Sequence, residues 1–170
     1  MIRRCGEADS ERILDIINDA AEAYRGQIPE DCFHDPYMGA GELAAEIAAG
    51  IEFRGWEEAG RLVAVMGLQA VRDVTLIRHA YVATALRRRG IGSRLLRRLL
   101  AESETPLLIG TWRAATWAID FYLKHGFEVA SRAETRDLLK RYWTVPDRQI
   151  ETSVVLAAGG WLAARRGEAR

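Results

Sequence analysis

Residues 79–93 read His-Ala-Tyr-Val-Ala-Thr-Ala-Leu-Arg-Arg-Arg-Gly-Ile-Gly-Ser. The stretch begins in a β-branched and aromatic run that is typical of a strand, which we expect over Val74–Val82. It ends in apolar residues at helical spacing, namely Ile91, Leu95, Leu96, Leu99 and Leu100. The sequence therefore predicts a strand that leads through a short connection into an amphipathic helix.

Two glycines, Gly90 and Gly92, stand where this connection meets the helix. Without a Cβ they let the backbone come close to a ligand. The first N–H groups of a helix have no partners within it and lie at the positive end of its dipole, so anions bind well there. The pattern favours a phosphate site, to which Arg87, Arg88 and Arg89 add positive charge. A helix start packed tightly by glycine, with solvated arginines, fits the same residues.

Composition excludes several classes of protein. The chain has 170 residues, of which 49% are hydrophobic and 28% charged, as in an ordinary single domain. The formal net charge is zero, which argues against a nucleic-acid-binding protein. The apolar runs are too short to cross a membrane, and the first residues do not form a signal peptide. We expect no nucleic-acid partner, no membrane association and a cytoplasmic location.

The two cysteines, Cys5 and Cys32, are too few for a disulfide framework. Neither lies at metal-ligand spacing from a histidine, so we expect no metal site. Cys32 lies close to His34, but no nucleophile motif surrounds the pair. A catalytic cysteine is therefore not predicted.

The order of predicted elements is mixed: a strand, two helices, three antiparallel strands, a helix, a strand, a helix and further strands. The later segments are a strand over 107–112, a helix over 114–125, an added helix over 137–143 and a strand over 150–156. This order predicts an α/β (α+β) fold with a mixed, mostly antiparallel sheet flanked by helices. We expect one domain over residues 1–158 and a short flexible tail over 159–170.

The helix-start motif resembles that of the GNAT superfamily of N-acetyltransferases. The family signature is Arg or Gln, two residues, Gly, one residue, then Gly or Ala, and Arg87, Gly90 and Gly92 match it directly after a strand. A second stretch, Ala118-Ile-Asp-Phe-Tyr-Leu-Lys-His-Gly-Phe127, is similar to the family's helix that leads into a Gly-Phe strand start. The fold expected from the element order is then that of a single GNAT-like domain.

The resemblance implies acetyl-CoA (coenzyme A) as the cofactor. In the family the loop amides hold the pyrophosphate and the end of the preceding strand pairs with the pantetheine arm. Carried over residue by residue, the implied contacts are Tyr81, Val82, Ala83, Arg87, Arg88, Arg89, Gly90, Ile91, Gly92 and Ser93. The N–H of Val82 is the implied donor to the oxygen of the reacting carbonyl.

Two catalytic roles follow from the resemblance and from side-chain chemistry. Tyr122 matches the tyrosine that donates a proton to the departing thiolate, and a phenol stays protonated at neutral pH. His79 is the candidate base, because it lies three residues before Val82 and imidazole titrates in the useful range. A packing tyrosine and a structural strand histidine remain the alternatives.

The reaction implied is direct attack of a primary amine on the thioester, and the identity of the amine is not encoded in a readable motif. The acceptor is expected to be a small-molecule or peptide amine. Candidates to line its pocket come from the first helices and the late strands: Tyr24, His34 and Glu151, with Glu22 and Asp31. The late strand and Trp143 offer surfaces for a homodimer.

One position departs from the family pattern. Many members carry an asparagine seven residues before the tyrosine, and this chain has Ala115 there. The departure favours a second interpretation, in which the chain is a non-catalytic acyl-CoA-binding sensor of the same fold. The intact loop and Tyr122 favour the enzyme.

Overall fold

The computed structural model describes residues 1–168. Its strands are β1 (Ile2–Arg4), β2 (Glu52–Glu58), β3 (Arg61–Val71), β4 (Val74–Val82), β5 (Leu107–Trp112), β6 (Phe127–Val129) and β7 (Ser153–Ala158). Its α-helices are α1 (Ser10–Ala21), α2 (Ala40–Ala48), α3 (Ile91–Glu102), α4 (Thr116–Leu123), α5 (Arg132–Tyr142), α6 (Asp147–Thr152) and α7 (Trp161–Glu168).

The seven strands form one sheet in the order β1-β2-β3-β4-β5-β7-β6. The β1/β2, β2/β3, β5/β7 and β6/β7 pairs are antiparallel. The predicted fold class, a mixed sheet flanked by helices, is confirmed. Within residues 1–168, no helix is both long and apolar enough to span a bilayer.

Contacts group the chain into two compact units, and β4 contributes to both. The first unit is Met1–Ala70 with Ile77–Glu102, and the second is Val71–Leu76 with the described residues from Ser103 onward. The first unit contains the predicted strand-to-helix connection. The second contains the predicted tyrosine motif.

The core of the first unit lies between α1, α2 and the strands β2 and β3. Helix α1 buries an apolar stripe with helical spacing, Ile13, Ile16, Ile17, Ala20 and Ala21. Leu43 of α2 and Phe53 of β2 are buried in the same cluster. This packing fixes α2 against the sheet, so that side chains on its inner face reach β4.

The second unit is built around β7, which lies between β5 and β6. All residues of β7 up to Ala157 are buried, as expected for a strand covered on both faces. Helix α5 covers it with Leu138, Leu139 and Tyr142. Two predicted strands, Val74–Val82 and Leu107–Trp112, match β4 and β5 at both ends.

The late segment differs from its prediction. Residues 150–156 alternate like a strand, but α6 continues to Thr152 and β7 begins at Ser153. Pro146 stands at the N-cap of α6, where its fixed φ and missing N–H are tolerated. The alternation of apolar and polar residues over 150–152 therefore predicted a strand wrongly, because these residues form the last turn of α6. The added helix exists, but it begins earlier than predicted, at Arg132.

The predicted flexible tail is also corrected. Trp161–Glu168 forms α7, and Leu162 is buried in the core of the second unit. Trp161 packs with Tyr142 at a ring-centroid distance of 6.3 Å. Burying these apolar side chains stabilises the helix where polar composition alone predicts fraying. The last two residues of the predicted tail, 169 and 170, lie outside the described residues.

The start of α5 is fixed by a capping box. Ser131 Oγ accepts from the Glu134 N–H at 3.3 Å, and the Ser131 N–H donates to Glu134 Oε2 at 2.7 Å. Arg166 of α7 donates to both carboxylate oxygens of Glu134, at 2.7 and 2.9 Å. These hydrogen bonds, with that to Arg166 first, lower the pKa of Glu134 from 4.5 to about 2. The charge of Glu134 therefore links α5 to α7.

Replacing Glu134 with glutamine tests this link. Glutamine keeps the cap, so the change removes mainly the charge. Because the folded pKa lies below the unfolded one, the stabilisation is complete above about pH 4.5 and is lost as pH falls towards 2. We expect Glu134→Gln to lower the free energy of unfolding by up to about 1 kcal/mol at pH 7, given the half-exposed Arg166.

The measurement is urea unfolding at pH 7 and near pH 2, where the two proteins should converge. Glu104→Gln, an exposed carboxylate of the same unit, is the matched control. An equal difference between wild type and Glu134→Gln at both pH values would contradict the assignment.

Candidate active site

The connection between β4 and α3 is anchored to the end of α1. The Thr84 N–H donates to Asp19 Oδ2 at 2.6 Å, and Thr84 Oγ1 donates to the Asp19 carbonyl at 3.3 Å. A short 3-10 turn over Thr84–Leu86 follows. These contacts hold the connection in place before the helix begins.

Gly90 makes the turn into α3. Its φ is 76°, in the left-handed region that glycine adopts without strain. The first helical hydrogen bond runs from the Arg94 N–H to the Gly90 carbonyl at 3.0 Å. The N–H groups of Ile91, Gly92 and Ser93 therefore have no partners within the helix. An anion can bind at this end of α3.

The three arginines of the connection differ in what they contact. Arg87 donates from Nη2 to the Ala20 carbonyl at 2.8 Å, so its guanidinium ties the connection to α1. Arg88 is exposed and adopts a left-handed φ of 63°. Arg89 is exposed and lies 3.6 Å from Glu58, a separation at which a surface pair contributes little. All three arginines are exposed and keep their positive charge, so each can contribute to attracting an anionic ligand.

The backbone N–H groups of Val82 and Ala83, at the end of β4, differ in their direction. The Ala83 N–H donates to the Val63 carbonyl of β3 at 2.9 Å. Successive N–H groups of a strand point to opposite edges, so the Val82 N–H points away from β3. This orientation suits a donor to a bound group, whereas the Ala83 N–H is already used.

Tyr81 belongs to a tyrosine cluster with Tyr24 and Tyr37. The Tyr24 ring lies 6.4 Å from that of Tyr81 and 5.5 Å from that of Tyr37. Burial, together with hydrogen bonds to Tyr24 and Tyr37, raises the pKa of Tyr81 well above 10. The phenol of Tyr81 is therefore neutral at physiological pH. Tyr24, predicted for the acceptor pocket, lies beside a predicted cofactor contact.

His79 has an unusual backbone for a strand residue. Its φ is 52°, a left-handed value inside β4. For a residue other than glycine this conformation costs roughly 1–3 kcal/mol, and it persists only where the surroundings enforce it. Such strain concentrates at functional positions, which makes His79 a site candidate on structural grounds as well.

A carboxylate from α2 holds the His79 ring. His79 Nε2 is in short hydrogen-bond contact with Glu46 Oε2, and Arg78 Nη2 donates to Glu46 Oε1 at 3.2 Å. Contacts with His79 and Arg78 offset the effect of burial and lower the pKa of Glu46. Because an ionised carboxylate can only accept, Nε2 is the nitrogen that donates, and in the neutral ring the lone pair is then on Nδ1.

Gly67 of β3 allows the close approach of β4 at this point. A Cβ at Gly67 would lie 3.0 Å from the Arg78 carbonyl and 2.8 Å from Ile51 Cγ2. Any side chain would push the backbone next to His79. The ring of Phe53 stacks on that of His79 at 6.1 Å. Strands β2 and β3 therefore help to define where the histidine lies.

Tyr122 lies in the second unit, near the end of α4, and is 3% exposed. Its ring packs against Phe121 at 5.1 Å and against Phe127 at 5.2 Å. His125 Nδ1 contacts the Phe121 carbonyl at 2.7 Å. The Tyr122 ring therefore packs between α4 and the start of β6.

The remaining predicted acceptor residues are dispersed. His34 is exposed in the loop before α2. Glu151, predicted on a strand, lies in α6 with its side chain 71% exposed and 3.9 Å from Arg148. Within the first unit, Tyr24 packs on Tyr81, and His79 lies two residues before Tyr81 on β4, the strand that leads to α3. Tyr122 and Glu151 belong to the second unit.

Sequence reasoning missed two residues of this site. Glu46 and Tyr37 reach His79 and Tyr81 through tertiary packing, across 33 and 44 positions of the chain. Glu46 is one of two glutamates in α2, and nothing in the sequence distinguishes it from Glu42. Within residues 1–168, no group of three or more acidic, histidine or cysteine side chains forms a metal site.

Part of the chain matches a known protein family. Residues 51–129 match the family model described as the acetyltransferase (GNAT) domain. Over these residues the chain is similar to GNAT acetyltransferase domains. The match includes the connection to α3 and Tyr122, and the resemblance predicted from sequence is confirmed.

Solved GNAT structures share the fold over nearly the whole chain. The PaiA N-acetyltransferase of Thermoplasma acidophilum, solved in complex with coenzyme A, aligns with a TM-score of 0.69 at 17% identity, over 93% of this chain and 97% of that one. The ribosomal-protein-S18-alanine N-acetyltransferase of Escherichia coli aligns with a TM-score of 0.66 at 18% identity, over 93% and 92%. No curated protein sequence matches the chain.

We expect Gly67→Ala to displace the backbone beside His79. A Cβ this close to a carbonyl forces a local shift, which should lower the free energy of unfolding by about 1–3 kcal/mol. The measurement is thermal unfolding together with the amide NMR shifts of Arg78 and His79. Gly41→Ala, in open space within α2, is the control and should be neutral or slightly stabilising. Unmoved amide shifts with wild-type stability would show that β3 does not constrain this site.

Proposed function

We propose that this GNAT domain transfers an acetyl group from acetyl-CoA to a primary amine by direct attack, without a covalent enzyme intermediate. The observation that carries the proposal is the start of α3, where Gly90 turns the chain and three N–H groups have no partners in the helix. The family match and the fold support acyl transfer as the class of reaction.

Coenzyme A fits the residues present. The N–H groups of Ile91, Gly92 and Ser93 suit its pyrophosphate, and Arg88 and Arg89 add charge of the correct sign. The Val82 N–H, directed away from β3, is the proposed donor to the oxygen that becomes negative during attack. When bound, acetyl-CoA supplies the activated acyl group of the reaction.

Two side chains of the protein are proposed to carry out the proton transfers of the reaction. An acceptor amine arrives as an ammonium ion and must lose a proton before it can attack. His79 is proposed to accept that proton at Nδ1, the ring nitrogen that does not face Glu46. Tyr122 is proposed to donate its phenolic proton to the departing sulfur.

The acceptor is proposed to be a small-molecule or peptide amine. One of the two comparison structures is named for a protein alanine as acceptor. Tyr24 is the predicted pocket residue with the best structural support, because it packs on Tyr81 within the same unit. His34 and Glu151 are proposed only as outer contacts, since both are exposed.

Two measurements, made one after the other, test the proposed function. The first is the shift in melting temperature on adding acetyl-CoA, and the second is thiol release when a panel of primary amines is supplied with it. A shift followed by amine-dependent thiol release supports the enzyme. Absence of a thermal shift would contradict cofactor binding. A shift with no turnover on any amine would favour the sensor interpretation that Ala115 raises.

Gly90→Ala should weaken coenzyme A binding roughly tenfold, which corresponds to a backbone penalty of about 1–2 kcal/mol at a left-handed position. The structure leaves open space beside Gly90, so the cost arises from its φ of 76°. Isothermal titration with coenzyme A is the measurement. Gly126→Ala carries the same backbone penalty at a φ of 82°, outside this connection, and should bind normally. If Gly90→Ala and Gly126→Ala bound coenzyme A with equal affinity, its phosphates would have to bind at a site other than the start of α3.

Tyr122→Phe should lower kcat by roughly 100-fold or more, the range for loss of a general acid, while leaving the affinity for acetyl-CoA near wild type. The measurement is steady-state thiol release with the best amine of the panel. Tyr142→Phe, which loses the hydrogen bond to Asp73 at 2.9 Å, is the matched control and should affect stability alone. A wild-type kcat in Tyr122→Phe would show that Tyr122 is not the general acid.

A further inference from the structure

We propose that Glu46 is a positioning residue for His79: its carboxylate fixes the tautomer and orientation of the imidazole so that Nδ1 is free to take the proton from the acceptor amine. The inference rests on the proposed function, in which His79 is the base. It adds a residue of α2 to a site otherwise built from β4 and α3.

The contact geometry carries the proposal. Glu46 Oε2 meets His79 Nε2, and the second oxygen, Oε1, accepts from Arg78 at 3.2 Å. Both carboxylate oxygens are therefore engaged, and the carboxylate cannot rotate without losing one contact. The side chains of His79 and Glu46 are only 13% and 21% exposed, so water competes weakly for these bonds.

Arg78, which holds the Glu46 carboxylate, is itself held in place by Gln69. Arg78 Nη1 donates to Gln69 Oε1 of β3 at 3.0 Å, and Gln69 Nε2 donates to the Ala49 carbonyl at the end of α2 at 3.2 Å. The chain of contacts thus runs from α2 through β3 and β4 back to α2. A carboxylate fixed in this way can orient a ring, whereas a mobile surface glutamate cannot.

The backbone of His79 gives an independent argument. A left-handed φ of 52° inside a strand redirects the side chain relative to a regular strand. The ring then lies between the Phe53 ring and Glu46. A histidine needed only for packing would not require a conformation that costs free energy. The backbone, the stacked ring and the carboxylate together specify one orientation of the imidazole.

The charges around the ring suit a base. His79 contacts the carboxylate of Glu46 from α2, Arg78 of its own strand pairs with that same carboxylate, and β2 contributes the uncharged ring of Phe53. When the acceptor ammonium transfers its proton, its N–H bond breaks, an Nδ1–H bond forms and the electron pair stays on the amine nitrogen. Glu46 then faces an imidazolium and stabilises its positive charge.

Glu46→Gln tests the role, with Glu46→Asp as the conservative variant. Nitrogen-15 NMR of the imidazole reports the tautomer without needing activity. We expect wild type to hold the proton on Nε2, and Glu46→Gln to give a mixture, since an amide can accept or donate. Glu42→Gln, on the same helix, is the matched control and should keep the wild-type tautomer, because a glutamine oxygen can also accept from the Gly39 N–H as Glu42 does.

Kinetics provide the second readout. Glu46→Gln should lower kcat by roughly 10- to 100-fold with little change in KM for acetyl-CoA, and His79→Ala by roughly 100- to 10,000-fold, as expected for a lost base. The double variant should be no slower than His79→Ala, because Glu46 acts through the ring. Glu46→Asp should recover part of the loss.

The outcomes separate the two proposals. An unchanged tautomer in Glu46→Gln, or additive losses in the double variant, would overturn the positioning role while leaving the proposed function intact. Wild-type kcat in His79→Ala would overturn the base assignment and the positioning role with it, although acyl transfer itself would stand. A mixed tautomer together with non-additive losses would support the role of Glu46.

Discussion

The first turn of α3 presents backbone N–H groups that have no partners within the helix, and much of the first unit is arranged to keep them in one place. Asp19 and Arg87 tie the connection to α1, and Gly90 allows the turn that starts the helix. An anion satisfies such groups and gains from the helix dipole. The need to bind an anion at these N–H groups explains why arginines and glycines occur together in this connection. The need to hold the connection in place explains why Arg87 contacts α1.

Much of the fold could be predicted from the sequence, because its strongest signals are local. The strands over 74–82 and 107–112 combine β-branched residues with clear ends, and the stripe of α3 has an unmistakable helical period. The errors lie where tertiary contacts override local pattern. Alternation over 150–152 continues into a helix, and a polar, alanine-rich end becomes α7 because Leu162 is buried.

The site was predictable only in part, for the same physical reason. The Gly90 connection has a sequence signature, and so does the Tyr122 helix. His79 was placed by its distance from Val82, but its left-handed backbone and its contact with Glu46 depend on the packing of α2 against the sheet. No local pattern encodes a contact between residues 33 positions apart. The tyrosine cluster around Tyr81 was missed in the same way.

The central claim is that the N–H groups at the start of α3 bind the phosphates of coenzyme A. Its most direct test is a titration of the nitrogen-15-labelled protein with coenzyme A, followed by amide NMR. The account predicts saturable shifts that are largest for the amides of Ile91, Gly92 and Ser93, reduced when coenzyme A is replaced by pantetheine, which lacks the phosphates. Saturable binding of coenzyme A that leaves these three amides unmoved would contradict it.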